Sequence, residues 1–290
     1  MAAILALGSS LLWGTGDFLG GRASRRWRVF IVLAWSQISM LLLLWAAVGI
    51  GVATMGIEVP LRSVGIGILG GIAGTIALAA FYRALAIGPM SVVPPIASAG
   101  VALPVAVGLL SGDDAAPLKL VGMALAVCGV VLASIGEGSG DDDAIATRVS
   151  AQTLALCLLA AVGFGLIFVA LDAASGDSAS TALVATAGVR MGSCATILVA
   201  LLVTRTSPWD GVGAAALGGF VVIGLFDTGA NLTFSIATAY GDLALVAVLG
   251  SLYPAVTSAL AHGLLGERLG RVQLVGVVLA LAGVVVLASQ

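Results

Sequence analysis

Residues 241–289 read GDLALVAVLGSLYPAVTSALAHGLLGERLGRVQLVGVVLALAGVVVLAS. Two apolar runs, Leu243–Leu265 and Val272–Ala288, flank a short polar hinge at Gly266–Arg271. Each run approaches the roughly 20 apolar residues that carry a helix across a hydrocarbon core. Residues 88–134 repeat the plan: a glycine, an apolar crossing, a hinge at Gly112–Asp114 and a second crossing. Leu109-Leu110-Ser111-Gly112-Asp113 echoes Leu264-Leu265-Gly266-Glu267-Arg268, and Leu120-Val121-Gly122 echoes Leu274-Val275-Gly276. Gly129-Val130-Val131 echoes Gly283-Val284-Val285, and Trp13-Gly14-Thr15-Gly16 is a weaker partner of Val162-Gly163-Phe164-Gly165. The interval is about 150 residues, half the chain and far longer than a solenoid repeat. Chance likeness between apolar helices explains matched Leu, Val and Ala, but accounts poorly for glycines and hinges recurring in one order. The expectation is one membrane unit, duplicated and fused.

The composition sets the solvent. Sixty per cent of the 290 residues are hydrophobic and only 9% are charged, where a soluble domain carries roughly 25% charged residues. The solvent is therefore lipid. The 40 glycines, set in apolar runs, argue for close helix packing through small side chains. A net charge of −2 gives no sign of nucleic-acid binding. The three cysteines, Cys128, Cys157 and Cys194, sit in apolar runs and suggest no disulfide framework. The single histidine, His262, argues against a His-based metal site. No cleavable signal peptide is expected, since Met1-Ala2-Ala3 has no basic lead.

The length rule gives about ten spans: 3–21, 29–50, 63–87, 91–111, 118–135, 152–172, 180–204, 212–239, 243–265 and 271–288. The runs are continuous rather than alternating, so the expected class is an all-α membrane protein and not a barrel. Residues 1–135 form the first five-helix repeat, 136–150 a flexible acidic linker, and 151–290 the second repeat. The linker contains Gly138-Ser139-Gly140-Asp141-Asp142-Asp143, a solvated composition that lacks the full ligand spacing of a calcium loop. Five spans per half is odd, so the halves enter the membrane from opposite sides. That is the inverted repeat expected of alternating access. Pro94-Pro95 and Pro104 in the fourth span, and Pro254 in the ninth, are expected to bend repeat-related helices beside one cavity.

These residues resemble the drug/metabolite transporter superfamily in its EamA-like branch. The likeness rests on the hinge Leu264–Leu269, the glycine-rich last run Gly276–Leu287 and the Trp13-Gly14 pair. It extends over nearly the whole chain, although Gly112-Asp113-Asp114 in the first half departs from Gly-Glu-Arg. The resemblance implies a multi-pass protein of the bacterial inner membrane. It implies a secondary transporter, an exporter of small metabolites such as amino acids, without cofactor or catalysis. A broad drug exporter of the same fold, or a channel, stays open as an alternative. The expected partners are a small-molecule substrate, the bilayer and a coupling proton. No nucleotide-binding or hydrolase motif is present in the sequence. Arg22, Arg25, Arg26, Arg28, Arg148, Arg205, Arg268 and Arg271 fall in odd-numbered loops, against Arg62 and Lys119 in even ones. The positive-inside bias puts the odd loops in the cytoplasm and both termini outside. Family habit puts the termini inside.

Charges deep in a span are costly and mark function. Arg190 lies mid-way along the seventh span and Asp227 mid-way along the eighth. Arg190 suits a bidentate contact with a substrate carboxylate, and Asp227 suits a substrate amine or a proton. Alternatively the two form a buried pair that only locks packing. Asp227, Asn231 and Ser235 follow an i, i+4, i+8 spacing and read as one polar stripe facing the cavity. Asp17 shares a face with Trp13, as a proton or cation site beside an aromatic wall or as an interfacial carboxylate near Arg22. Tyr253 precedes Pro254 and is a candidate lining residue. Trp35, Gln37, Tyr82, Arg83 and His262 are weaker candidates.

Overall fold

The computed structural model describes residues 1–87, 93–112, 117–134, 150–176, 178–265 and 271–288. Within them the chain is helical, with no strand. Among the described residues six helices are long and apolar enough to cross a membrane: α1 (Ala2–Ser24), α2 (Val29–Met55), α3 (Leu61–Ile87), α7 (Ala151–Ser175), α8 (Ala179–Thr204) and α9 (Ala214–Thr238). At 1.5 Å per residue they are about 35–40 Å long, enough for a hydrocarbon core of about 30 Å. Two 18-residue helices, α6 (Pro117–Ser134) and α12 (Arg271–Ala288), rise about 27 Å each. The expected linker lies outside the described residues except for Ser150. That hydroxyl accepts the Thr153 N–H at 3.0 Å and caps α7.

The fourth and ninth spans, expected as single helices, are each broken in two. The fourth comprises α4 (Val93–Ser98), a 3-10 turn at Ala99–Val101 and α5 (Ala102–Leu110). The ninth comprises α10 (Leu243–Gly250) and α11 (Tyr253–Leu265). Pro254 has no N–H, and its ring competes for space with the carbonyl four residues back, on Gly250. The chain responds at Ser251-Leu252 with tighter bonds, Leu252 N–H to Leu249 O at 3.3 Å and Ala255 N–H to Leu252 O at 3.0 Å. Ser251 Oγ donates to the Val248 carbonyl at 2.7 Å, and Thr257 Oγ1 reaches the Gly14 carbonyl on α1 at 3.0 Å. In the fourth span the same relation holds between Pro104 and Gly100, inside the 3-10 turn. Pro94 and Pro95 do not break the helix as expected. They lie in the first turn of α4, where backbone N–H groups have no helical partner to lose.

Packing joins the two halves. α1 lies against α9, α10 and α11, and α7 lies against α3, α4 and α5. α8 packs on α2 and α3, α2 on α9, and α6 on α12. The α3–α8 crossing is built from small residues. Gly67 and Gly71 of α3 meet Gly188 and Gly192 of α8, and a methyl at Gly71 or Gly192 would overlap a backbone carbonyl of the facing helix, Val189 or Ile68. In lipid, association of this kind depends on close backbone contact rather than on hydrophobic exclusion. It fixes the α8 segment that carries Arg190.

Candidate functional site

The centre of the site is a polar cluster shared by three helices. Arg190 on α8 is 1% exposed, the bulkiest of the fully buried side chains. Its Nη1 donates to Asp227 Oδ2 on α9 at 2.7 Å and also to Gln37 Oε1 on α2. Gln37 Nε2 in turn donates to Asp227 Oδ2 at 3.2 Å. One turn along α9, Asn231 Nδ2 donates to Asp227 Oδ1 at 3.1 Å and to the Asp227 carbonyl at 2.6 Å. The carboxylate thus accepts from a guanidinium and two amides, which is how a charge is held in a low-dielectric interior.

The cluster is not saturated. Arg190 Nε, Asn231 Oδ1 and the Tyr253 hydroxyl are buried without a hydrogen-bond partner. All three residues line one cavity of about 50 Å³. At ~10–15 Å³ per water centre, that space holds a few waters. Trp13 and Asp17 of α1 and Phe164 and Phe168 of α7 form further parts of its wall. Trp13 stacks obliquely on Phe168 (5.2 Å between ring centroids) and Phe234 (5.5 Å), and those two rings stack at 4.6 Å. Asp17 is 7% exposed. Among the described residues no side chain hydrogen-bonds or pairs with its carboxylate. The exposed Arg22 is not its partner, so the interfacial reading of Asp17 gives way to a cavity position.

The structure therefore brings together Trp13, Asp17, Arg190, Asp227, Asn231 and Tyr253. Ser235 departs from the expected stripe. It is fully buried and hydrogen-bonded to Ser175 on α7, outside the cavity lining. The reason is helical rotation: at about 100° per residue, position i+4 is turned about 40° from i, but i+8 about 80°. Gln37 carries more of the site than its neighbour Trp35, which faces away. The Trp35 Nε1 donates to the Pro208 carbonyl at 2.8 Å and the ring packs on Trp209. Tyr82 is buried with its hydroxyl against Gly20 of α1, and Arg83 is exposed. The side chain of His262 lies outside the described residues. Thr75 of α3 and Ser193 of α8, which also line the cavity, had no signal in the sequence, being small polar residues in small-residue runs.

Residues 152–289 match the model of the EamA-like transporter family. A solved structure titled "Crystal structure of protein" superposes with a TM-score of 0.75 over 98% of this chain and 95% of that chain. At 19% sequence identity that likeness is one of fold. The search of curated proteins returns no match.

Proposed function

The second half of this multi-pass membrane chain matches the EamA-like transporter family, and from that match we propose that the protein is a secondary active transporter exporting small metabolites such as amino acids. The observation that carries this reading is the unsaturated cluster. A buried guanidinium with a free Nε, beside an orphan amide oxygen and a phenol, faces an interior cavity at mid-span. Such groups cost free energy until something pairs with them. A substrate carboxylate on Arg190 would satisfy Nε while Nη1 keeps Asp227, and a substrate ammonium would find Asp17 against the Trp13 ring. A proton and an ammonium compete for the same Asp17 carboxylate, so exchange of substrate for proton follows as the coupled cycle. The aromatic walls of Trp13, Phe164 and Phe168 favour a second reading, a broad exporter of bulky cations, in which Asp17 alone recognises the charge.

Alternating access in this account rests on two five-span repeats, residues 1–135 and 151–290, joined by the 136–150 linker. The exchanged packing supports it: α1 against α9, α10 and α11 in one sense, α7 against α3, α4 and α5 in the other. So do the breaks, with Gly100 and Pro104 standing at the same interval from Gly250 and Pro254. The cavity has room for a few waters only, so a metabolite enters and leaves by movement of one repeat against the other. We place the protein in the bacterial inner membrane, with the arginine-rich odd loops in the cytoplasm.

A thermal-unfolding screen against amino acids tests the site. A ligand of the folded state at about 100 times its Kd adds ~2.7 kcal/mol of apparent stability. The shift should vanish in Arg190→Met and survive in an exposed-site control such as Arg62→Gln. A shift that persists unchanged without Arg190 overturns the carboxylate-anchor reading, and persistence without Arg190 but loss in Asp17→Asn favours the cation exporter.

A further inference from the structure

A second cavity, of about 340 Å³, opens between α2, α3, α7 and α8. Its size falls in the range of roughly 300–1,000 Å³ typical of ligand sites. Phe30 of α2, Ala79 and Arg83 of α3, Leu156 and Leu159 of α7 and Ile197 of α8 contribute to its walls. These positions lie toward one membrane face: Phe30 begins α2, Arg83 is a turn from the end of α3, Leu156 and Leu159 follow the start of α7, and Ile197 precedes the end of α8. At 1.5 Å per residue, the groove runs from about 2 Å inside the helix ends at Phe30, past Arg83 at about 6 Å, to ~18 Å at Thr75. That is the depth from the headgroups into the acyl chains.

Arg83 is the one charged residue of the groove. It is exposed, and among the described residues no carboxylate or hydrogen-bond acceptor engages it. The same face carries exposed Arg22, Arg25, Arg26, Arg28 and Arg205 at helix ends and loops. A long apolar slot with an unpaired guanidinium at its mouth, on a basic rim, has the charge pattern of an anionic amphiphile. We propose that this groove binds an anionic phospholipid from the leaflet at the arginine-rich face, with its phosphate on Arg83 and one acyl chain between α3, α7 and α8. Thr75 lines this groove and the central cavity alike, so the chain's inner end abuts the α3 wall of the central cavity. The lipid thereby packs against the same α3 segment that walls the central cavity.

The test uses the full-length protein in nanodiscs of equal phosphatidylglycerol and phosphatidylethanolamine. The particles are released into mild detergent and the retained lipid is counted by native mass spectrometry. Wild type should keep one phosphatidylglycerol in preference to phosphatidylethanolamine. Arg83→Gln should reduce that preference about fivefold, the scale of one basic residue at a lipid surface. Arg62→Gln, exposed at the opposite end of α3, should leave it unchanged. Ala79→Trp, which fills the slot and keeps Arg83, should lose retained lipid of either headgroup. Equal retention of both lipids by wild type, or an equal effect of Arg62→Gln and Arg83→Gln, overturns the proposal. Since Arg83 and Arg62 are exposed, the comparison stands even if Ala79→Trp fails to fold.

Discussion

Replacing Arg190 and Asp227 singly and together separates a site from a strut. In Arg190→Met the buried volume is nearly kept and the cation is lost. Asp227 then retains only Gln37 Nε2 at 3.2 Å and Asn231 Nδ2 at 3.1 Å. Removing one partner of a buried ion pair costs about 3–5 kcal/mol. The Asp227 side chain is 16% exposed toward the cavity and keeps two amide donors, so the loss should lie at the low end, about 3 kcal/mol. At ~2–4 °C per kcal/mol this lowers the unfolding midpoint by roughly 6–12 °C. In the double variant Arg190→Met, Asp227→Asn no charge remains to be paired. Stability should return to within about 1 kcal/mol of wild type, the large coupling expected of residues in contact. Transport should not return, because the substrate's carboxylate has lost its anchor. The assays are thermal unfolding in detergent and counterflow in proteoliposomes, run on the same four proteins. Counterflow at near wild-type rates in the double variant would refute the reasoning and reduce both charges to packing.

Asp17→Asn should leave the protein folded, since the native carboxylate has no partner among the described residues to lose. It should make transport insensitive to an imposed pH gradient, and a gradient response equal to wild type would remove Asp17 from the coupling step. Gly71→Leu should destabilise the α3–α8 crossing by more than the usual ~1–3 kcal/mol of overpacking. Gly65→Leu on the same helix, where a side chain meets open space, should be nearly neutral, and equal expression and unfolding midpoints for the two would contradict the close crossing. A single cysteine in the Arg22–Arg28 loop of a variant lacking Cys128, Cys157 and Cys194 should resist impermeant thiol reagents in intact cells. Ready labelling there would reverse the orientation.

What could be read from the chain alone follows from free-energy cost. Arg190, Asp227 and Asp17 stood out because a charge inside an apolar run costs several kcal/mol and so marks a buried pair or a functional site. Gln37 carries no such penalty, and its partners are 153 and 190 residues away, beyond any periodic signal. The helix breaks were signalled by proline, but the sequence does not say which proline falls in a first turn. Pro94-Pro95 are harmless at the start of α4, whereas Pro104 and Pro254 each follow the residue where the helix gives way. Ser235 was misplaced because an i, i+4, i+8 series drifts off one face, and a serine is as easily satisfied by a neighbouring helix as by a cavity. The groove at Arg83 was invisible for a simpler reason: it is a gap between four helices, and no single segment encodes it.

The central claim is exchange of a small solute around an interior cavity that is never open to both sides. The direct measurement is counterflow of a labelled amino acid, chosen from the unfolding screen, into proteoliposomes preloaded with the unlabelled compound. The account predicts uptake that saturates with external concentration, that requires internal substrate, and that disappears in Arg190→Met. Uptake that rises linearly with concentration and ignores the internal solute would mark a channel and contradict the account.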